Sequence, residues 1–118
     1  MKKQSGFIEF LDEVFEEFGP IEVPKMFGGF GVYHDGVMFG LVANDTLYLK
    51  TDETTKQHFE SRGLPQFEYD RAGKTVKMSY YRAPEEIFDD RDKAALWAQR
   101  SYKVAVKQDR RKKSRRPK

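Results

Sequence analysis

The sequence contains two histidines, His34 and His58, the residue type that most often serves as a general acid, a general base or a metal ligand. A zinc site needs further histidines or carboxylates at matched spacing, and a catalytic histidine needs a partner that orients it. His34 precedes an Asp-Gly turn and His58 lies in a predicted short helix, so we expect both at the surface. No nucleophile motif surrounds any serine. We therefore predict no catalytic residue and no enzymatic activity.

Three aspartates before the predicted last helix, Asp89, Asp90 and Asp92, are spaced as metal-ligating carboxylates can be. Their position offers a simpler explanation, because Asp is favoured at the residue that precedes a helix and the helix dipole stabilises negative charge in the first turn. We predict that Asp89 or Asp90 caps this helix. We also expect that the protein binds no metal and no other cofactor.

A cluster of glycines, Gly28, Gly29 and Gly31, has the composition of a phosphate-binding loop. Such a loop follows a strand and opens a helix, whose N-terminus then holds the anion. Here the glycines open a predicted strand, which ends at the hairpin signal Asp35-Gly36. We therefore expect a bulged or curved strand that another backbone or side chain approaches closely. A cleft near residues 28–31 that binds a small ligand or supports catalysis is the alternative.

Charge is distributed unevenly along the chain. The formal net charge is +3, but residues 107–118 hold eight basic residues against one aspartate and carry +7, so residues 1–106 carry −4. This last segment lacks apolar residues, and we expect a disordered basic tail. The tail binds nucleic acid non-specifically through phosphates, or it only solubilises the chain, or it contacts the acidic body of the same chain. Its candidate nucleic-acid-binding residues are Lys107, Arg110, Arg111, Lys112, Lys113, Arg115, Arg116 and Lys118.

The composition fits one small globular domain, with 118 residues, 38% hydrophobic residues, ten Phe and six Tyr. The absence of Cys excludes disulfides and thiol chemistry within the chain and fits a reducing compartment. The first residues form an acidic amphipathic stretch rather than the apolar run of a signal peptide, and no segment approaches the roughly 18 apolar residues of a transmembrane helix. We therefore expect a cytoplasmic protein that does not contact a membrane.

Hydrophobic periodicity predicts one α+β domain over residues 1–106. Its order, α-β-β-β-α-β-β-α with short hairpins, predicts two layers, namely a five-stranded, mostly antiparallel sheet with helices on one side. Ser5 is the expected N-cap of the first helix and Pro84 begins a helical segment. The predicted elements are a helix over residues 7–18, strands over 25–34, Val37–Ala43 and Thr46–Lys50, a helix over about 53–62, a hairpin that turns at Ala72-Gly73, and a last helix that ends near Val106.

The strand block from Met26 onward is the most distinctive part of the sequence. Its motifs are Met26-Phe27-Gly28-Gly29, Gly31-Val32-Tyr33, Asp35-Gly36-Val37-Met38-Phe39 and Leu47-Tyr48-Leu49-Lys50. Each is weak alone, but their order and spacing resemble the TfoX (Sxy) N-terminal domain family, and the resemblance covers roughly residues 8–106. The motif residues for which we expect a structural or interaction role are Met26, Phe27, Gly28, Gly29, Gly31, Tyr33, Asp35, Gly36, Tyr48 and Lys50.

The resemblance has implications for fold and for function. It implies five antiparallel strands with helices beside them, similar to type III secretion chaperones. It also implies a regulatory role, because TfoX proteins promote natural competence genes in bacteria together with the cyclic-AMP receptor protein at promoters. Those proteins carry a second, C-terminal helical domain where this sequence has residues 107–118, so we expect a stand-alone N-terminal domain. The family supplies no catalytic residues.

Together these observations favour a non-enzymatic regulatory and interaction module. Its expected partners are a protein, such as a transcription regulator or a second copy of the chain, and nucleic acid through the basic tail. The alternatives are a chaperone-like dimer and the small-ligand or enzymatic domain with a cleft near residues 28–31. Strand aromatics such as Tyr48 and Tyr80 would stack on bases in an RNA-binding sheet. The −4 charge of residues 1–106 favours core and cross-strand packing for them instead.

Overall fold

The computed structural model of the chain describes residues 3–26 and 28–115. These residues form three α-helices, one 3-10 helix and six β-strands. The helices are α1 (Lys3–Val14), α2 (Lys56–Glu60) and α3 (Arg91–Arg115), and the 3-10 helix spans Glu85–Phe88. The strands are β1 (Lys25–Met26), β2 (Gly29–His34), β3 (Val37–Ala43), β4 (Thr46–Lys50), β5 (Gln66–Arg71) and β6 (Lys74–Arg82).

The strands form one antiparallel sheet in the order β1-β2-β3-β4-β6-β5. The predicted α+β fold with an antiparallel sheet is confirmed, but the sheet has six strands rather than five. The extra strand arises because the segment 25–34, predicted as one strand, folds back so that Met26 pairs with Gly29. Gly28 has a φ of 81°, a conformation that glycine adopts without steric cost, and this permits the reversal.

The other hairpin turns lie where the sequence predicts them. Asp35-Gly36 connects β2 to β3, Asn44-Asp45 connects β3 to β4, and Ala72-Gly73 connects β5 to β6. All six turn residues have positive φ, between 49° and 80°. Two consecutive residues of positive φ produce the turn whose twist matches the twist of the flanking strands, so these short turns set the register of the sheet.

The helices pack on one face of the sheet, where a single cluster of buried side chains forms the core. β4 alternates, with Leu47 and Leu49 fully or almost fully buried in this cluster. The ring of Phe15, just after α1, packs edge to face on Phe39 of β3 at 5.8 Å between centroids. The helical residues of the core are Leu11 and Val14 of α1, Phe59 of α2, Ile87 of the 3-10 helix, and Ala94, Trp97, Ala98 and Ala105 of α3.

The helix ends confirm one predicted N-cap and contradict another. α1 begins at Lys3, so Ser5 lies inside the helix and is not its cap; the helix also ends at Val14, before the predicted end at residue 18. Asp90 caps α3 as predicted, since its Oδ1 accepts hydrogen bonds from the backbone N–H groups of Asp92 and Lys93 at 3.0 and 3.2 Å. Pro84 immediately precedes the 3-10 helix.

α3 continues beyond the end that the sequence predicts. The segment 107–118 was expected to be disordered, but the backbone is helical through Arg115, while residues 116–118 lie outside the described residues. Lys, Gln and Arg are good helix formers, and extending an existing helix avoids the cost of a new nucleus. Positive charge near a helix C-terminus is further stabilised by the helix dipole. Within residues 3–26 and 28–115, no helix combines the length and apolar composition needed to cross a membrane.

Candidate functional site

The face of the sheet opposite the helices carries a groove with a volume of about 660 Å³. We call this side the open face and the cavity the open-face groove. None of the described lining residues belongs to a helix. The side chains that define the groove are Met26, Met38, Leu41, Phe67, Tyr69, Arg71 and Met78, which come from β1, β3, β5 and β6.

The groove is lined mainly by apolar side chains of two kinds. Methionine supplies three of them, and this unbranched, polarisable side chain adapts to differently shaped partners. Phe67 supplies an aromatic wall, because its ring lies 4.9 Å from that of Tyr48 and 6.1 Å from that of Tyr69. The described lining residues include no carboxylate, histidine, serine or threonine. The groove therefore has the chemistry of a binding surface and lacks an acid–base pair.

Two glycines of β2 allow neighbouring atoms to approach the strand closely. A Cβ atom at Gly31 would lie 2.6 Å from the sulfur of Met26, 2.9 Å from Tyr33 Cε1 and 3.3 Å from the sulfur of Met38. A Cβ atom at Gly29 would collide with the carbonyl oxygen of Val42 on the paired strand. The prediction that the glycine cluster permits close approach by another backbone or side chain is confirmed.

The shape of the groove follows from the curvature of the sheet. The register shifts between Val32 and Tyr33 in the β2–β3 pair and between Gln66 and Glu68 in the β5–β6 pair. Such bulges bend strands and increase their twist, so residues of β1 and of β5, at opposite edges of the sheet, line the same groove. The sequence predicted a cleft near residues 28–31 only as an alternative, and Gly28, Gly29 and Phe30 of that segment line the groove. Its full extent was missed because alternation identifies a strand's faces but not the bulges that curve it.

On the β5–β6 hairpin, the two cations nearest the turn lie on the open face and the two carboxylates of β5 lie on the opposite face. Tyr69 and Arg71 line the groove, and Arg71 pairs directly with Lys74 across the turn, so both cations belong to the open face. Glu68 and Asp70 alternate to the opposite face, where Glu68 pairs with Lys77 and Asp70 accepts a hydrogen bond from Thr75. The open face of this hairpin is therefore positive although residues 1–106 carry a net negative charge.

Tyr80 lies on the open face, but its side chain is buried rather than exposed to solvent. Only 5% of it is exposed, and the Lys50 ammonium sits 4.9 Å from its ring centre. Burial, together with the neighbouring Tyr33 phenol, raises the pKa of Tyr80 to about 12. The predicted cross-strand packing of these aromatics is confirmed for Tyr80, and its ring is not available for base stacking.

The histidines and aspartates do not form a second site. His34 was predicted at the surface, but its side chain is only 15% exposed and contacts Phe18 and Tyr102. Among the described residues, no three His, Asp or Glu side chains come close enough together to hold a metal ion.

Six of the eight predicted tail residues lie on α3. Lys107 and Arg110 are exposed on the helix. The backbone of residues 111–115 is helical, so Arg111, Lys112, Lys113 and Arg115 fall on the same extension, whereas Arg116 and Lys118 lie outside the described residues.

Comparison with known proteins identifies the family to which this fold belongs. The family model described as the TfoX N-terminal domain matches residues 13–105, most of the chain. The chain belongs to the TfoX N-terminal domain family. One curated relative is Protein Sxy of Escherichia coli (strain K12), which is 26% identical over 96 residues; the matched region covers 81% of this chain and 46% of Sxy. The chain thus spans less than half the length of this relative.

In this TfoX N-terminal domain, the motif residues gather around the open face. Met26, Gly28 and Gly29 line the groove, and Gly31 lies beneath its methionines. The remaining motif residues occupy the sheet around it or its turns: Tyr33 pairs with Met38, Tyr48 contacts Phe67, Lys50 covers Tyr80, and Asp35-Gly36 forms the β2–β3 turn. Phe27 lies outside the described residues.

Proposed function

We propose that this TfoX N-terminal domain is a non-enzymatic, cytoplasmic regulatory module that acts by binding at its open-face groove. The single observation that carries the proposal is the groove itself, an apolar concavity of about 660 Å³ on the face that the helices leave uncovered. An exposed apolar surface of this kind usually marks an interaction site. The family membership supports a regulatory setting, including the promotion of bacterial gene expression with a transcription regulator as protein partner.

A comparison of two substitutions on the same sheet tests this proposal. Met38→Glu places a charge in the groove, whereas Lys77→Gln alters the opposite face of the β5–β6 hairpin. Wild type and both variants are expressed in a bacterial host and transcript levels are measured, after circular dichroism has shown that each variant is folded. We expect the wild type and Lys77→Gln to change the same transcripts and Met38→Glu to lose the effect. A folded Met38→Glu variant with full effect on transcripts would contradict the proposal.

A second activity, non-specific nucleic-acid binding, is favoured by the extension of α3. The helical backbone reaches Arg115 and presents Lys107 and Arg110 to solvent, which places basic residues on one rod-like element. On duplex DNA, the logarithm of the binding constant falls by about 0.9 for each phosphate contact when the salt concentration rises tenfold. Contacts of this type orient a protein on DNA without reading its sequence.

An electrophoretic mobility shift experiment separates this activity from simple solubilisation. The variant Arg110→Gln/Arg111→Gln/Lys112→Gln/Lys113→Gln keeps good helix formers and removes four charges. If the extension binds phosphates, the wild type shifts duplex DNA at low salt with little sequence preference. The variant then binds more weakly, and the slope of its log binding constant against log salt is smaller in magnitude by about 3.6, which is about 0.9 for each of the four charges removed. Equal shifts by the two proteins, or no shift by either, would show that the extension has no role in binding nucleic acid.

A further inference from the structure

We infer that the open-face groove binds a small anionic amphiphile, with the apolar body among the methionines and the carboxylate or phosphate head at Arg71 and Lys74. This inference rests on the proposed function, since it names the ligand class of the same groove. Four observations support it: the size of the cavity, its apolar lining, the glycine beneath its methionines and the cation pair at its edge.

The size of the cavity decides between a peptide helix and a small molecule. One turn of an α-helix rises 5.4 Å and measures about 10–12 Å across, so a single turn fills on the order of 500 Å³. The groove, at about 660 Å³, holds little more than one turn. Ligand pockets for small molecules range from about 300 to 1,000 Å³. The groove therefore fits a small ligand better than a helical segment of a partner.

The lining indicates a ligand with a flexible or flat apolar body. Met26 and Met38 face each other above Gly31, and Met78 and Phe67 complete the wall. Methionine side chains reshape at low cost around a bound group. A side chain at Gly31 would enter the space of both methionine sulfur atoms, so the glycine lets Met26 and Met38 pack directly on the strand beneath the groove.

The charge at the edge of the groove indicates an anionic head. Arg71 and Lys74 are both exposed and lie directly opposite each other on the two strands. Like charges directly opposite each other destabilise a hairpin. Among the described residues neither side chain has an ion-pair partner, because Glu68 and Asp70 alternate to the other face. A carboxylate or phosphate between the two cations converts this repulsion into attraction, and the Arg fork suits either head group.

Isothermal titration calorimetry of the full chain tests the inference with decanoate, decyl phosphate and decyltrimethylammonium, each below its critical micelle concentration. We expect saturable binding of decanoate or decyl phosphate, and the tighter of the two identifies the head group. The cationic homologue is expected to bind at least tenfold more weakly. Equal binding of the anionic and cationic chains, or no saturable binding of any of them, would overturn the inference.

Three variants locate the binding. Arg71→Gln/Lys74→Gln should weaken anion binding by about ten- to hundredfold, as expected for the loss of hydrogen bonds to a charged group. Ala43→Trp, which fills the groove with a bulky ring, should abolish it, and Lys77→Gln should leave it unchanged. Unchanged affinity in a folded Ala43→Trp or Arg71→Gln/Lys74→Gln variant would overturn the inference. The proposed function is tested by a separate result. It still stands if no amphiphile binds but Met38→Glu loses the transcript response.

Discussion

The Nδ1 atom of His34 lies 2.6 Å from the carbonyl oxygen of Pro20. Since a carbonyl only accepts hydrogen bonds, Nδ1 carries the proton and donates it. The imidazole also packs against the ring of Phe18 at 4.7 Å and against that of Tyr102 in α3 at 5.0 Å. This one side chain therefore joins the end of β2 to the segment after α1 and to α3, three parts of the chain that are distant in sequence.

The two histidines should differ in their effect on stability. We expect His34→Ala to lower the free energy of unfolding by about 2–4 kcal/mol, because it removes a hydrogen bond and the packing of a largely buried ring. His58 is partly exposed and its closest ring contact is Trp97 at 6.4 Å, so His58→Ala should cost less than about 1 kcal/mol. Urea unfolding of both variants measures the difference. Equal losses would contradict the structural role of His34.

Alanine substitutions at Gly29 and Gly31 of β2 should differ in their cost to stability. Gly29→Ala places a methyl group against the carbonyl oxygen of Val42, and neither paired backbone can move without breaking the ladder, so we expect a loss of about 2–4 kcal/mol. Gly31→Ala meets side-chain atoms only, namely the sulfur atoms of Met26 and Met38 and Cε1 of Tyr33, which can move more easily than backbone, so its cost should be smaller, about 1 kcal/mol. Urea unfolding ranks the two. A cost for Gly31→Ala as large as that for Gly29→Ala would show that the side chains packed on Gly31 cannot move aside.

The parts of the structure that were predictable from sequence are those determined locally. Asp35-Gly36 forms a turn because Gly adopts positive φ without steric cost and Asp tolerates it, and Gly73 supplies the same freedom to the Ala72-Gly73 turn. Asp90 caps α3 because its side chain reaches the next N–H groups. Alternation likewise placed Leu47 and Leu49 in the core. Such features depend only on neighbours in the chain.

The features that were missed, or were expected only as an alternative, depend on tertiary packing. β1 exists because Met26 pairs with Gly29 after a reversal at Gly28, and a run of glycines fits a curved strand equally well. The groove depends on two bulges and on the approach of β5 residues to β1 residues, which no local pattern encodes. His34 is buried by Phe18 and Tyr102, whose proximity follows only from the packing of the helices on the sheet.

Stability should fall at alkaline pH because of Tyr80. Burial raises the pKa of its phenol to about 12, from 10 in the unfolded chain. A folded-state pKa above the unfolded value means that this stabilising contribution is complete below pH 10 and is lost as the pH rises toward 12. We expect a loss of roughly 2–3 kcal/mol across this interval. Urea unfolding from pH 8 to 12 should show a steeper decline for wild type than for Tyr80→Phe, and parallel curves would contradict the assignment.

Stability should fall at acid pH through Asp52. Burial of this carboxyl acts to raise its pKa, but hydrogen bonds from the Thr54 hydroxyl and from the N–H groups of Thr54 and Thr55 outweigh that effect and lower the pKa below 3.8. The stabilisation is therefore present above pH 3.8 and lost as the pH falls through the lower folded-state value.

The variant Asp52→Ala measures this contribution. It should cost about 1 kcal/mol at neutral pH, as expected for the loss of a carboxylate that accepts hydrogen bonds from backbone N–H groups, and less once the wild-type carboxyl is protonated. Asp89→Ala is the matched control, because Asp89 is exposed and precedes the aspartate that caps α3. A pH-independent cost of Asp52→Ala would show that the side chain acts by packing rather than by charge.

Ser101 of α3 should be a site where removing a polar group stabilises the protein. Its side chain is 1% exposed, and its hydroxyl has no hydrogen-bond partner among the described residues. A buried hydroxyl without a partner retains its desolvation cost, and alanine is the better helix former, so Ser101→Ala should raise the free energy of unfolding by about 0.5–1.5 kcal/mol.

The reverse substitution one turn earlier provides the control. Ala98 is fully buried on the same helix, and Ala98→Ser adds an unpaired hydroxyl to the core, which should cost about 1–3 kcal/mol. Urea unfolding of both variants at neutral pH gives the two values. If Ser101→Ala instead destabilised the chain by 1 kcal/mol or more, about the net value of one hydrogen bond, its hydroxyl would be bonded in solution, and a buried water beside α3 would be the natural partner.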